Sequence, residues 1–323
     1  MRALQVARLS DDYSGVAIAE CARPIPGPGE VLIRVRAASL NYPDLLMSRG
    51  AYQMKPDLPF TLGGDLAGEI EAVGADAGRF APGDAVCAVG LGAFADYAAY
   101  PVAMVSPKPE NLDFPQAAAF GAAYLTAYVS LVERAQLRAG EWVLVHGAAG
   151  GMGLAAVDLA RALGARVIAA STSDAKLAEI ERLHDPDAVL NITGGFRDRV
   201  KELTGGGADI VFDPVNGDVF DESMRCLAFD GRLLVIGFTS GRIATLPTNH
   251  ALIRGVSVIG VRAGEYGRRF PDRRRRVVSK LLRLAEHGEI RPHVHAAFPL
   301  EAWGDAFALM ERREAVGKIV LTL

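Results

Sequence analysis

Short apolar runs broken by glycine and proline fill the first 120 residues, whereas from about residue 116 helical spacing alternates with brief, wholly apolar stretches. The first pattern predicts strands and turns. Val31 to Val35 and Leu66 to Val73 are strand-like, and PIPGPGE at 24–30 and APGD at 81–84 punctuate the chain around them. Together they predict a partly open barrel. The second pattern predicts strands near 142–145, 166–170, 188–190, 209–213, 232–237 and 256–261, alternating with helices. That alternation is the mark of a parallel sheet covered on both faces. Arg273 to His287 reads as a surface helix, and Ile319-Val320-Leu321 as a last strand returning to the first region. The expected organisation is an α/β domain, 121–261, inserted into a mainly-β domain made of 1–120 and 262–323.

The most informative stretch is Trp142 to Ala169, which writes a buried strand, a glycine-rich turn, a helix and a second strand in one run. In Ala148-Ala149-Gly150-Gly151-Met152-Gly153 the glycines stand where a pyrophosphate must meet bare backbone and where a helix must pack closely on its strand. Backbone N–H groups at the helix start then face the phosphates. Ala149, Gly150, Gly151, Met152 and Gly153 are therefore assigned to a dinucleotide. Ala148 stands where the first glycine of G-x-G-x-x-G is usual, so the motif is a variant.

A site built for NAD places Asp or Glu about 20 residues beyond such a turn, on the ribose 2′-hydroxyl. This chain has Ser171 there, followed by Thr172, Ser173, Asp174 and Lys176. Hydroxyls and a cation suit a 2′-phosphate, and the repelling acid is missing. NADPH is the expected cofactor, with Ser173 also placed to cap the next helix.

Composition narrows the function classes. A net charge of −3 argues against a nucleic-acid binder. Cys21, Cys87 and Cys226 form no C-x-x-C pair, so neither a disulfide framework nor a cysteine-rich zinc lobe is expected. The N-terminal stretch has no apolar signal core, and no run approaches a membrane span. A soluble, cytoplasmic protein is the expectation.

The motifs PGPGEV at 26–31, SLNYPD at 39–44, RGAY at 49–52, LGGDLAG at 62–68, the glycine turn, DPVNG at 213–217 and GKIVL at 317–321 occur in one order. By them the chain resembles the medium-chain dehydrogenase/reductase superfamily, and within it the zinc-independent quinone oxidoreductases similar to zeta-crystallin. The resemblance implies a GroES-like partly open barrel carrying an inserted Rossmann-type doubly wound sheet. Zinc alcohol dehydrogenases of the superfamily have a cysteine where Asn41 stands and Gly-His-Glu where Gly63-Gly64-Asp65 stands. No metal is therefore expected. The resemblance further implies that Asn41 and Tyr52 line the pocket beside the nicotinamide, each able to donate to a developing oxyanion. It places Thr126 near the nicotinamide, and Asn216, Gly237 and Phe238 beside the cofactor at the carboxyl edge of the sheet. Relatives often carry Tyr or His near the adenosine phosphate, where this chain has Asn191-Ile192.

The implied reaction is hydride transfer from NADPH to quinones or other conjugated carbonyl acceptors. A C=C reductase acting on an enoyl, 2-haloacrylate or acyl-CoA substrate is the alternative, and a non-catalytic NADPH-binding, crystallin-like protein the third. Arg268, Arg269 and Arg273 to Arg276 form a basic cluster that reads first as a solvated face. Arg262, nearest the expected site, is assigned to the cofactor or an anionic substrate. The edge strand Val256 to Val261 is expected to pair with its twin in a homodimer.

Overall fold

Two β-rich segments far apart in the chain, Met1–Ala122 and Pro292–Leu323, fold together as one unit, and Ala123–Arg291 folds as another. The computed structural model describes residues 1–78 and 80–323. In the first unit the strand Glu30–Ser39 is the hub, pairing antiparallel with Asp65–Val73, Tyr97–Pro101 and Lys318–Thr322. Its apolar residues are buried on both faces, as a strand with neighbours on every side requires. Register shifts between Leu32 and Ile33 and between Val35 and Ala37 bend it, so the sheet curls. The path ends at Val294–Pro299 on one side and Val105–Pro107 on the other. These outer strands do not pair with each other, so the barrel is left partly open. Leu4, Ile33, Leu40, Leu62, Leu66, Phe94 and Phe307 fill its interior.

In the second unit six strands lie in the order Ala188–Asn191, Arg166–Ser171, Trp142–Val145, Ala208–Asp213, Leu227–Val235 and Ser257–Gly260, every neighbouring pair parallel. Numbered along the chain this is 3-2-1-4-5-6, the order of a Rossmann-type doubly wound sheet. Val143, Leu144, Val145 and Phe212 are fully buried at its centre. The strand expected near 232–237 begins earlier, at Leu227, and stops at Val235. Asp230 at φ 63° lies at an irregularity in its pairing, and such a bulge hides the first half of a strand from any periodicity reading.

Residues 262–291, expected with the barrel, belong to the second unit. The helix Pro271–Glu286 buries Val277, Leu281 and Leu284, and the Tyr266 hydroxyl hydrogen-bonds Glu133. Buried Asp158 pins the exit from this unit. It accepts from the Tyr124 hydroxyl at 2.5 Å and from the backbone N–H of Arg291 at 2.7 Å, and His184 Nδ1 lies 3.0 Å away. No helix among the described residues is long and apolar enough to cross a membrane.

Candidate functional site

The candidate residues fall into two groups, one in each unit. In the barrel, Asn41 sits between the end of Glu30–Ser39 and the helix Tyr42–Ser48, whose early proline suits a helix start. Asn41 and Asp44 form a capping box at this helix start. The Asp44 carboxylate accepts from the Asn41 N–H at 2.7 Å and the Gly63 N–H at 3.2 Å. The Asn41 carboxamide makes three further contacts. Its Nδ2 donates to Asp65 at 2.7 Å and, more loosely, to the Ser39 carbonyl at 3.3 Å, while its Oδ1 accepts from Lys318 Nζ at 2.7 Å. Lys318 Nζ also donates to the Leu40 carbonyl at 2.9 Å.

The other oxygen of Asp65 accepts from the Ala122 N–H at 2.8 Å. Gly121 makes room for this, since a Cβ there would lie 2.6 Å from that oxygen. Burial pushes the Asp44 carboxyl up to about 7. It pushes Asp65 up as well, against the opposing pull of Lys318 and Asn41. The Lys318 ammonium is pushed down by burial, and the two carboxylates resist that fall. Sequence reading named Asn41 but missed Lys318, Asp65 and Asp44 as its setting, although all three lie inside the quoted motifs. Tyr52 is half-buried against the barrel core.

In the second unit the strand Trp142–Val145 feeds the turn, and the helix Gly151–Ala162 starts directly after Gly150. Gly147 turns at φ 57°, and a Cβ on Gly153 would overlap its carbonyl oxygen and come within 2.9 Å of the Ala148 Cα. Only glycine allows the helix to sit this close to the strand end. Ala149 is buried, while Gly151 and Met152 are half-buried at the helix start. The next strand ends at buried Ser171, whose Oγ accepts from the Ser173 N–H at 3.4 Å. Ser173 caps the helix Asp174–His184 through the Lys176 N–H, and Thr172 is exposed. Asp174, the one acid here, accepts from Asn191 Nδ2 at 2.6 Å. Asn191 thus engages the carboxylate that stands beside the hydroxyls.

At the carboxyl ends of the next two strands, Asp213 Oδ1 accepts from the Val215 and Asn216 N–H groups and holds Asn216 at φ 64°. Asn216 Oδ1 accepts from the Ala244 N–H at 2.7 Å. Gly237 is confined, for a Cβ would lie 2.9 Å from the Pro214 carbonyl oxygen, and Phe238 is exposed. Thr126 lies half-buried in the helix Phe114–Tyr128 and its carbonyl accepts from Ser130 Oγ at 2.6 Å. Arg262 is exposed and precedes the helix Ala263–Arg269. The basic cluster beyond it is largely spoken for. Arg268 and Arg269 pair with Glu265, Arg275 with Asp272, and Arg273 with the Tyr266 hydroxyl.

Comparison with known proteins agrees with this division. Residues 27–110 match the alcohol dehydrogenase GroES-like domain and residues 151–283 the zinc-binding dehydrogenase family. The chain is 38% identical over 304 residues to quinone oxidoreductase-like protein 2 of Mus musculus, covering 93% of this chain and 87% of that protein. It is 32% identical over 327 residues to quinone oxidoreductase of Homo sapiens, covering 100% of this chain and 98% of that one. A mycobacterial protein solved as its NADPH complex superposes with a TM-score of 0.91 at 28% identity, with all of both chains covered. The pairing of a GroES-like barrel with an inserted Rossmann sheet, together with these likenesses, shows that the chain belongs to the medium-chain dehydrogenase/reductase superfamily, among its quinone oxidoreductase-like members.

Proposed function

We propose that this chain is an NADPH-dependent oxidoreductase that transfers hydride to quinones or other conjugated carbonyl acceptors without zinc. The observation that carries the zinc-independent part is the ammonium of Lys318, 2.7 Å from Asn41 Oδ1. At the positions where zinc dehydrogenases supply ligands, this chain builds an amide held between a carboxylate and an ammonium. A divalent cation at that place would be repelled by the lysine and would find no thiolate or imidazole at residues 41, 64 and 65. Quinone oxidoreductase and quinone oxidoreductase-like relatives support the acceptor class.

The second unit suits the cofactor. A glycine cradle leads into a helix of 12 residues with its N–H groups at the turn. Ser171, Ser173 and Lys176 supply hydroxyls and a cation for a 2′-phosphate, and Asn191 engages the nearby acid. The mycobacterial likeness, solved with NADPH, favours the same cofactor. When bound, NADPH supplies the hydride. Asn41 then donates from Nδ2 to the oxygen of the acceptor on which negative charge develops, and Tyr52 donates its hydroxyl to that oxygen or delivers the proton. Because both Nδ2 hydrogens already have partners, the bond given up on substrate binding is the long one to Ser39.

The proposal includes a homodimer joined along the edge strand Ser257–Gly260, where Phe229 and Leu252 stand 85% and 82% exposed. The test of function is direct. Purified protein is mixed with NADPH or NADH and the nicotinamide absorbance followed with 1,4-benzoquinone, 9,10-phenanthrenequinone, an enone, an enal and crotonyl-CoA. NADPH oxidation with the quinones is expected. Turnover with crotonyl-CoA alone would transfer the function to C=C reduction, and binding without turnover on any acceptor would refute the catalytic reading.

A further inference from the structure

Lys318, the first residue of the strand Lys318–Thr322, is an unusual buried lysine. It is 7% exposed, and burying an ammonium is costly unless other groups compensate for the lost water. Two buried carboxylates, Asp65 and Asp44, supply the opposite charge, yet among the described residues the ammonium hydrogen-bonds neither. Its directed bonds go to the Leu40 carbonyl and to Asn41 Oδ1. The Asn41 carboxamide therefore stands between carboxylate and ammonium and is polarised from both ends.

Its orientation is chemically unambiguous. Lysine has no acceptor and an ionised carboxylate no donor, so Oδ1 must face Lys318 and Nδ2 must face Asp65. Capping needs neither the Asp65 nor the Lys318 contact, since the Asp44 carboxylate already accepts from the Asn41 N–H at the helix start.

We infer that Lys318 is a positioning residue for the reaction, acting through Asn41. With Asp65 it fixes the carboxamide plane, so that one Nδ2 hydrogen is held by the carboxylate and the other, loosely bound to Ser39, is the one released to the acceptor oxygen. This rests on the reading of Asn41 as the oxyanion donor. A side chain at 318 without a hydrogen-bond donor leaves the amide free to swing.

The experiment is a double-substitution cycle with an independent view of the amide. Lys318→Met is expected to lower kcat for 9,10-phenanthrenequinone about tenfold to a hundredfold, the cost of a misplaced group. The NADPH dissociation constant, read by nicotinamide fluorescence, is expected to stay within about twofold and certifies that the second unit is intact. In an Asn41→Ala background the same substitution is expected to change kcat by no more than about twofold, because its effect passes through Asn41. Full additivity of the two losses, or an unchanged kcat in Lys318→Met, would overturn the inference. Should Lys318→Met not fold, Lys318→Gln retains an N–H donor without the charge and is expected to keep most of kcat. Loss of turnover in a folded Lys318→Gln would count against positioning through the hydrogen bond.

The amide itself can be followed without turnover. The chain has five asparagines, so [15N]Asn labelling gives five side-chain amide pairs. The pair assigned by Asn41→Ala is expected to exchange slowly in the wild type and fast in Lys318→Met. Equal exchange in both would refute the clamp, whereas slow exchange in a protein that fails to oxidise NADPH with any of the acceptors would retain the clamp and reject the quinone reductase reading.

Discussion

Two glycines of one turn should fail in different ways when given a methyl group. At Gly153 the new Cβ would overlap the Gly147 carbonyl oxygen and press to 2.9 Å from the Ala148 Cα, both backbone atoms that cannot rotate aside. Relief requires the helix Gly151–Ala162 to move off the strand end by about 1 Å, an overpacking cost of about 1–3 kcal/mol. At Gly150 the nearest atom is the same oxygen at 3.4 Å, and φ is −70°, which any residue adopts. Gly150→Ala should therefore leave stability within about 0.5 kcal/mol of the wild type. It places a methyl where the pyrophosphate must meet bare backbone, and NADPH affinity should fall at least about tenfold. Gly153→Ala should lower the melting temperature by about 2–12 °C, at about 2–4 °C per kcal/mol for a unit of this size. Differential scanning calorimetry and a fluorescence titration with NADPH separate the two effects. If Gly153→Ala melts with the wild type, or if Gly150→Ala binds NADPH undiminished, the assignment of these two glycines to packing and to phosphate approach is wrong.

Ser171→Asp should invert cofactor choice, lowering the NADPH-to-NADH affinity ratio at least about tenfold, because a carboxylate there repels a 2′-phosphate and accepts from a ribose hydroxyl. An unchanged ratio would remove Ser171 from the phosphate site. Burial raises the Asp44 carboxyl to about 7, above its unfolded value of 3.8, so its contribution to stability is complete below about pH 4 and is lost as pH rises through 7. Relative to Asp44→Asn, the wild-type unfolding free energy should fall by up to about 4 kcal/mol between pH 4 and 8, and parallel urea-melt profiles for the two would contradict the raised value. Ile253→Glu, on the exposed apolar face beside the edge strand, should turn a dimer into a monomer by light scattering. A wild type that is already monomeric would dismiss the edge-strand pairing.

The strands of the inserted unit were legible because burial on both faces leaves uninterrupted apolar runs, and the glycine turn because steric demand there selects one residue type. The strand Leu227–Val235 was half hidden by Asp230 and Gly231, whose turn chemistry reads as a loop. The boundary near residue 291 was not legible, since what ties the helix Pro271–Glu286 to the second unit is tertiary: a tyrosine reaching Glu133 and a backbone N–H reaching Asp158. Asn41 was visible as a motif residue, but its surroundings were not. Lys318 lies 277 residues from it, and sequence alone gives a lysine in a terminal strand every reason to be solvated.

The discontinuity of the barrel also sets an order of events during synthesis. Glu30–Ser39 leaves the ribosome early, but its antiparallel neighbour Lys318–Thr322 is made after the whole of Ala123–Arg291. The inserted unit, continuous in sequence, can fold while the barrel still lacks two strands of its main sheet. Through that interval Asp44 and Asp65 have no ammonium beside them, and the Asn41 carboxamide has no fixed partner for its oxygen. The glycine turn and its helix can thus be in place in the nascent chain before Lys318–Thr322 is translated and the amide beside Lys318 is set.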